Sequence, residues 1–142
     1  MRFDEVKPGQ ELPELRVALT HELLAAYAGA TWDFHRYHYD ADFAREVAGA
    51  PDAFVDGQML GALLARQLMA WSAPEGWVRR LALRYRSMSF PGETLVFSGS
   101  VRATRVEGAS GLTELDLTVT ALDGRDVAVP ASATVELPAT VQ

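Results

Sequence analysis

The fifteen residues from Gly57 to Trp71 constrain this chain's fold more than any other stretch. Leu, Met and Ala, all good helix formers, dominate the segment, and only Arg66 and Gln67 give it a clear polar edge. A helix apolar nearly all round is normally buried, so the rest of the chain has to supply the surface that covers it. The segment is too short to span a bilayer, which takes about 20 apolar residues.

That surface follows at once, because after Pro74 the apolar period changes to two. Leu81, Leu83 and Tyr85 alternate with Ala82, Arg84 and Arg86. Further on, Leu95, Phe97, Gly99 and Val101 alternate with Val96, Ser98, Ser100 and Arg102, and Leu115, Leu117, Val119 and Ala121 with Glu114, Asp116, Thr118 and Thr120. A last run carries Val127, Val129, Ala131, Ala133 and Val135 among mostly polar neighbours. Such runs predict half-buried strands. Pro91-Gly92, Glu107-Gly108 and Asp123-Gly124 separate them as turns, the last a strong hairpin dipeptide. Pro130 predicts an edge position or a bulge in the final strand.

Upstream, Thr20 caps a helix that opens with His21-Glu22-Leu23 and ends at Gly29. A polar, aromatic stretch runs from Thr31 to Asp40, a short helix from Ala41 to Ala48, and Ala50-Pro51-Asp52 is a break. Helices first and an antiparallel meander after them predict an α+β domain, its sheet wrapped around the central helix. No repeat or linker interrupts residues 1–142, a length that suits one domain with a core of its own.

Composition removes several function classes. There is no cysteine, which excludes disulfides, thiolate metal sites and cysteine nucleophiles. Thirteen Lys and Arg stand against 19 Asp and Glu, a net charge of −6 that argues against general nucleic-acid binding. The N-terminal residues Met1 to Gly9 lack the apolar stretch of a signal peptide, so the expectation is a cytoplasmic protein with no membrane association.

The chemistry concentrates in Thr31-Trp-Asp-Phe-His-Arg-Tyr-His-Tyr-Asp40: two acids, two imidazoles, a guanidinium and four aromatics. His21, in the first turn of its helix, reads as a solvated residue. Asp33 and His38 are five apart and can converge only through a loop. Converged, they hold a water between carboxylate and imidazole and move protons near neutral pH. The plainer alternative is that Asp33 caps the following turn while His38 packs on aromatics. His35, His38 and Asp40 lack the second distant ligand cluster that a metal site needs, and no metal is expected. Gly57 and Gln58 present backbone N–H groups at a helix N-terminus, which suits a developing oxyanion; Asp56 reads as the cap of that helix. Arg79, Arg80, Arg84 and Arg86 crowd one strand. Arg80, Arg84 and Arg86 share its parity, as a phosphate-bearing ligand or an ordinary solvated face would have them.

The order of these features resembles the MaoC-like hydratase/dehydratase family, single hotdog domains acting on acyl-CoA or acyl-carrier thioesters. Trp32-Asp33-Phe34-His35-Arg36-Tyr37-His38 is similar to the family's G-D-x-N-P-x-H, with Trp32, His35 and Arg36 standing where glycine, asparagine and proline are usual. Val55-Asp56-Gly57-Gln58-Met59 resembles its A-H-G-M-L, with Asp56 at the histidine position, and Phe90-Pro91-Gly92-Glu93-Thr94-Leu95 its x-P-G-D-T-L. The likeness runs over nearly the whole chain and is nearest to small MaoC-like subunits of actinobacterial steroid or acyl-CoA breakdown, some of which work beside a second hotdog chain. It implies catalysis by Asp33, His38 and the Gly57 backbone N–H. Substrate contacts are expected from His35, Arg36, Gln58, Arg80, Arg84 and Arg86. It also implies a thioester substrate, no cofactor beyond the CoA or acyl-carrier arm of that substrate, and a homodimer or a heterodimer with another hotdog chain. The activity implied is hydration of a trans-2-enoyl thioester or the reverse dehydration, or else acyl-thioester binding in a partner subunit with little activity of its own. A thioesterase of the same fold would carry an acid on the central helix, and none lies between Gly57 and Trp71.

Overall fold

The computed structural model describes residues 1–139, so the last three positions of the 1–142 domain lie outside the described residues. Its elements in chain order are β1 (Leu15–Ala18), α1 (His21–Thr31), α2 (Ala41–Ala48), α3 (Gly57–Ser72), β2 (Trp77–Tyr85), β3 (Thr94–Glu107), β4 (Ser110–Ala121) and β5 (Asp126–Pro138). Short 3-10 turns occupy Phe3–Glu5 and Arg36–His38. The strands form one antiparallel sheet in the order β1-β3-β4-β5-β2. Leu95, Phe97, Val101, Leu115, Leu117, Val119, Val127, Val135 and Leu137 face inward from that sheet, and Met59, Leu60, Leu64, Leu68 and Trp71 of α3 join them in one core. This is the α+β hotdog arrangement, a single sheet packed about one central helix.

Local chemistry sets the element ends. Thr20 Oγ1 accepts the Leu23 N–H at 3.1 Å and starts α1. The expected stop at Gly29 is corrected: the helix continues to Thr31 and closes at Trp32, which adopts the left-handed conformation (φ 59°) and donates its N–H to the Ala28 carbonyl. Gly29 lies inside the helix without a positive φ, where its freedom is not needed. Asp40 caps α2 on the Phe43 N–H at 3.0 Å, and Gly49 ends it at φ 65°. Asp56 caps α3 on the Gln58 N–H at 2.9 Å.

Three further expectations need correction. Gln67 is not part of a polar edge: it is 6% exposed, and its amide nitrogen donates to the Pro13 and Phe97 carbonyls at 2.8 and 3.0 Å. Nor is α3 buried all round, since Ala62, Arg66, Met69 and Ala70 line an exposed stripe. The four-residue β1 does not emerge from the period-two pattern at all; it pairs with β3 from Leu15↔Phe97 to Ala18↔Thr94. For Pro130 the bulge reading holds and the edge reading fails. β5 lies between β4 and β2, and both ladders slip beside Pro130, between Leu83 and Tyr85 and between Leu117 and Val119.

Candidate active site

The Trp32 cap sets the direction of Asp33, whose own N–H reaches back to the Ala28 carbonyl at 3.0 Å. Asp33 Oδ1 accepts the His35 N–H at 3.2 Å, so this carboxylate does cap the following turn. That turn, Arg36–His38, brings His38 round to Phe54. The Phe54 N–H donates to the Tyr37 carbonyl at 3.0 Å, and the Phe54 carbonyl lies 2.8 Å from His38 Nδ1. A carbonyl only accepts, so Nδ1 carries the proton and Nε2 of the neutral ring is left as the basic nitrogen. The ring also packs edge-on to Phe54, with centroids 5.5 Å apart. The structural roles weighed for Asp33 and His38 are therefore real, and they sit alongside a second fact. Both side chains line one narrow cleft, together with Leu24, Tyr27, Ala28, Asp56 and Met59. The cleft is too narrow to admit a water-sized sphere.

The segment after Phe54 joins this cleft to the start of α3. Val55 donates its N–H to the Ser89 carbonyl at 2.9 Å, which ties the helix entry to the β2–β3 connection. At the N-terminus the Asp56 carboxylate takes the Gln58 N–H at 2.9 Å, and the Asp56 carbonyl accepts the Met59 N–H at 3.0 Å. Gly57 N–H has no acceptor among the described residues. It is the free donor of this helix end, and the helix dipole favours negative charge there. On the far side of Gly57 lies an open cavity of about 330 Å³, lined mainly by apolar side chains including Phe54, Leu60, Tyr85 and Met88.

Two tyrosines that the sequence reading passed over belong to this site. Burial, then the charge of Asp56, pushes both phenols up from their ordinary value; Tyr85 and Asp33 add to the effect on Tyr27. Both stay protonated hydroxyl donors at neutral pH. Tyr85 donates to the Gly57 carbonyl at 2.9 Å. In the sequence, Tyr27 is one of several apolar helix positions and Tyr85 one of several alternating strand residues.

The expected substrate contacts divide. His35 is exposed and stacks on Tyr37 at 4.8 Å. Arg36 is engaged within its own loop, ion-paired to Asp40 at 2.6 Å and seated 4.2 Å over the Phe43 ring. Gln58 is exposed, with its backbone N–H already used by Asp56. Arg80 and Arg84 are exposed on β2, whereas Arg79 pairs with Glu136 at 2.6 Å. Arg86 alone of this set reaches the open cavity, its Nε donating to the Val129 carbonyl at 2.5 Å. His21 pairs with Asp52 at 3.0 Å, away from the cleft. Among the described residues no group of three or more His, Asp or Glu could hold a metal ion, and no helix is long and apolar enough to cross a membrane.

Comparison with known proteins bears on the family and the fold. The family model for hydroxyacyl-thioester dehydratase type 2 matches residues 4–92. The ChsH1-ChsH2 complex from Mycobacterium tuberculosis contains a chain 27% identical to this one, matched over 92% of this chain and 98% of that chain with a TM-score of 0.80. The (R)-hydratase from A. caviae involved in PHA biosynthesis superposes with a TM-score of 0.82 at 22% identity, covering 94% of this chain and 98% of that one. The unliganded R-hydratase PhaJ1 from Pseudomonas aeruginosa does so at 0.84 and 19%, covering 97% and 86%. A search of curated proteins returns no match. The chain is thus a member of the hydroxyacyl-thioester dehydratase type 2 family, built on the hotdog fold of the MaoC-like hydratases.

Proposed function

We propose that this chain adds water to a trans-2-enoyl thioester to give the 3-hydroxyacyl thioester, or runs the reverse elimination, using Asp33, His38 and the Gly57 N–H. The observation that carries the reading is the meeting of Asp33 and His38 in one cleft beside a helix end whose free donor is Gly57. In the forward direction the water oxygen bonds to the β-carbon, and the electron pair of the C=C bond moves towards the thioester oxygen. Asp33 and His38 between them carry one water proton to the α-carbon, so the elements of water are added and nothing is oxidised. The transient negative charge falls on the thioester oxygen, where a fixed N–H at a helix N-terminus stabilises it without reorganisation. The chemistry calls for no resident cofactor, since CoA or an acyl carrier arrives with the substrate. Arg86 lies at the cavity one residue past the end of β2, off the strand on which the sequence places it, and with Arg80 and Arg84 on β2 it would supply the charge that meets the carrier's phosphates.

The test is direct. Asp33→Asn and His38→Ala should each abolish hydration of crotonyl-CoA, followed by loss of the conjugated-thioester absorbance, while circular dichroism stays native. Near-normal turnover in both variants would sink the assignment.

A second reading is favoured by the similarity to a chain of the ChsH1-ChsH2 complex. In it the chain is one half of a heteromeric hotdog hydratase and needs its partner for turnover. Hydration of crotonyl-CoA by the purified chain alone removes that reading, and turnover only on adding a second hotdog chain establishes it.

A further inference from the structure

We infer that Tyr85 decides which acyl groups pass from the open cavity to the Asp33/His38 cleft. The inference rests on the hydratase reading above and adds a specificity-determining residue to it.

Tyr85 is the last residue of β2 and follows directly on the slip in the β2–β5 ladder between Leu83 and Tyr85. That irregularity turns its side chain onto the first residue of α3. The hydroxyl donates to the Gly57 carbonyl at 2.9 Å, and a Cβ placed on Gly57 would stand 3.0 to 3.3 Å from three atoms of the ring. The ring therefore occupies the space a side chain at position 57 would take, directly beside the free N–H. Both Tyr85 and Gly57 line the open cavity of about 330 Å³, and Asp56, the chain neighbour of Gly57, lines the narrow cleft.

A thioester entering from the cavity must set its carbonyl at the Gly57 N–H and its α- and β-carbons beyond it. It passes the ring of Tyr85 on the way. The ring is half exposed and tethered by one hydrogen bond, so it can yield. A thin linear enoyl chain needs little displacement, whereas a chain carrying a ring needs a large one. Tyr85 thus favours slender acyl groups over bulky ones, and the Gly57 tether holds that preference in place.

The experiment compares crotonyl-CoA with 3-cyclohexylacryloyl-CoA as substrates of the full chain, its Tyr85→Phe and its Tyr85→Ala variants. The readout is the ratio of kcat/KM for the bulky over the slender thioester. In Tyr85→Ala the ratio should rise about tenfold or more, the scale on which apolar pockets discriminate. In Tyr85→Phe, which keeps the ring and frees it, the rise should be smaller but present. A purely structural role would lower both rates together and leave the ratio fixed. Titration calorimetry with the saturated analogues, butyryl-CoA and 3-cyclohexylpropanoyl-CoA, gives the same ratio without turnover. If wild type hydrates crotonyl-CoA and neither ratio moves in either folded variant, Tyr85 is not the gate and the hydratase reading stands. If wild type hydrates nothing but Tyr85→Ala shifts the binding ratio tenfold, the gate stands and the hydratase reading falls. An unmoved binding ratio removes the gate in every case.

Discussion

At position 32 the chain leaves α1 through a tryptophan in the left-handed region, φ 59° and 81% exposed, where the MaoC-like motif carries glycine. That conformation costs an L-residue about 1–2 kcal/mol, and a β-branched side chain tolerates it least. The Trp32 side chain recovers little, since its edge contact with Phe34 at 5.0 Å lies in the open. Trp32→Gly should therefore leave the urea midpoint at or above that of wild type, and Trp32→Val should lower stability by about 1 kcal/mol. A Gly variant clearly less stable than the Val variant would show that the Trp32 side chain itself holds the loop. The spacing of Asp33 and His38 was legible in the sequence because a single turn joins them. What orients His38 was not, because the Phe54 carbonyl is sixteen residues away and a backbone oxygen leaves no mark on a sequence. Tyr85 was hidden for the same reason: it meets Gly57 across 28 residues.

Among the elements, α3 shows how a helix can be read correctly as a whole and wrongly at one position. Its bounds follow from composition and the Asp56 cap, but Gln67 at a polar position looks solvated until the sheet is in place. Both amide hydrogens are used, on Pro13 and Phe97, so Gln67 links α3 to the lead into β1 and to β3 itself. Gln67→Leu would leave the buried Phe97 carbonyl without that donor and should cost about 1–3 kcal/mol in chemical denaturation, with no direct effect on the cleft. The loop before α2 makes a different prediction. The Phe43 N–H first, and Arg36 second, hold the Asp40 carboxyl below its ordinary 3.8. Because the folded value lies below the unfolded one, the stabilisation is present above about pH 4 and is lost as pH falls through the folded value. Asp40→Asn keeps a competent N-cap but not the charge. Its melting temperature should lie below wild type at neutral pH, and the gap should close on acidification; a gap independent of pH would exclude the Asp40 charge as its cause. The strands divide on similar lines. β3, β4 and β5 are long enough for alternation to reveal them, whereas β1 is four residues of Leu-Arg-Val-Ala and exists because β3 offers it an edge.

For the molecule as a whole, the longer of the two sheet edges that the single chain leaves open is β2. β2 is an edge strand, and α3, which packs against it, still exposes Ala62, Met69 and Ala70. Edges this long are usually blunted by charge or covered by another chain. Here the charge is of one sign, for Arg80 and Arg84 lie along β2 with Ala82 midway between them. Antiparallel pairing of two copies of β2 about Ala82 would set Arg80 of one opposite Arg84 of the other, twice over. Like charges directly opposite destabilise a strand pair, and salt screens them. Self-association through β2 should therefore tighten as ionic strength rises in sedimentation equilibrium. Arg80→Glu, which places opposite charges across that seam, should tighten it further at low salt. A second hotdog chain with an acidic edge would behave in the opposite sense, binding most tightly at low salt and losing affinity with Arg80→Glu. If Arg80→Glu changes neither association, the chain is covered elsewhere than along β2. The sign of the salt dependence thus separates a homodimer from a heteromer on this edge, a distinction that a net charge of −6 could not make because it averages over a strand that is locally basic.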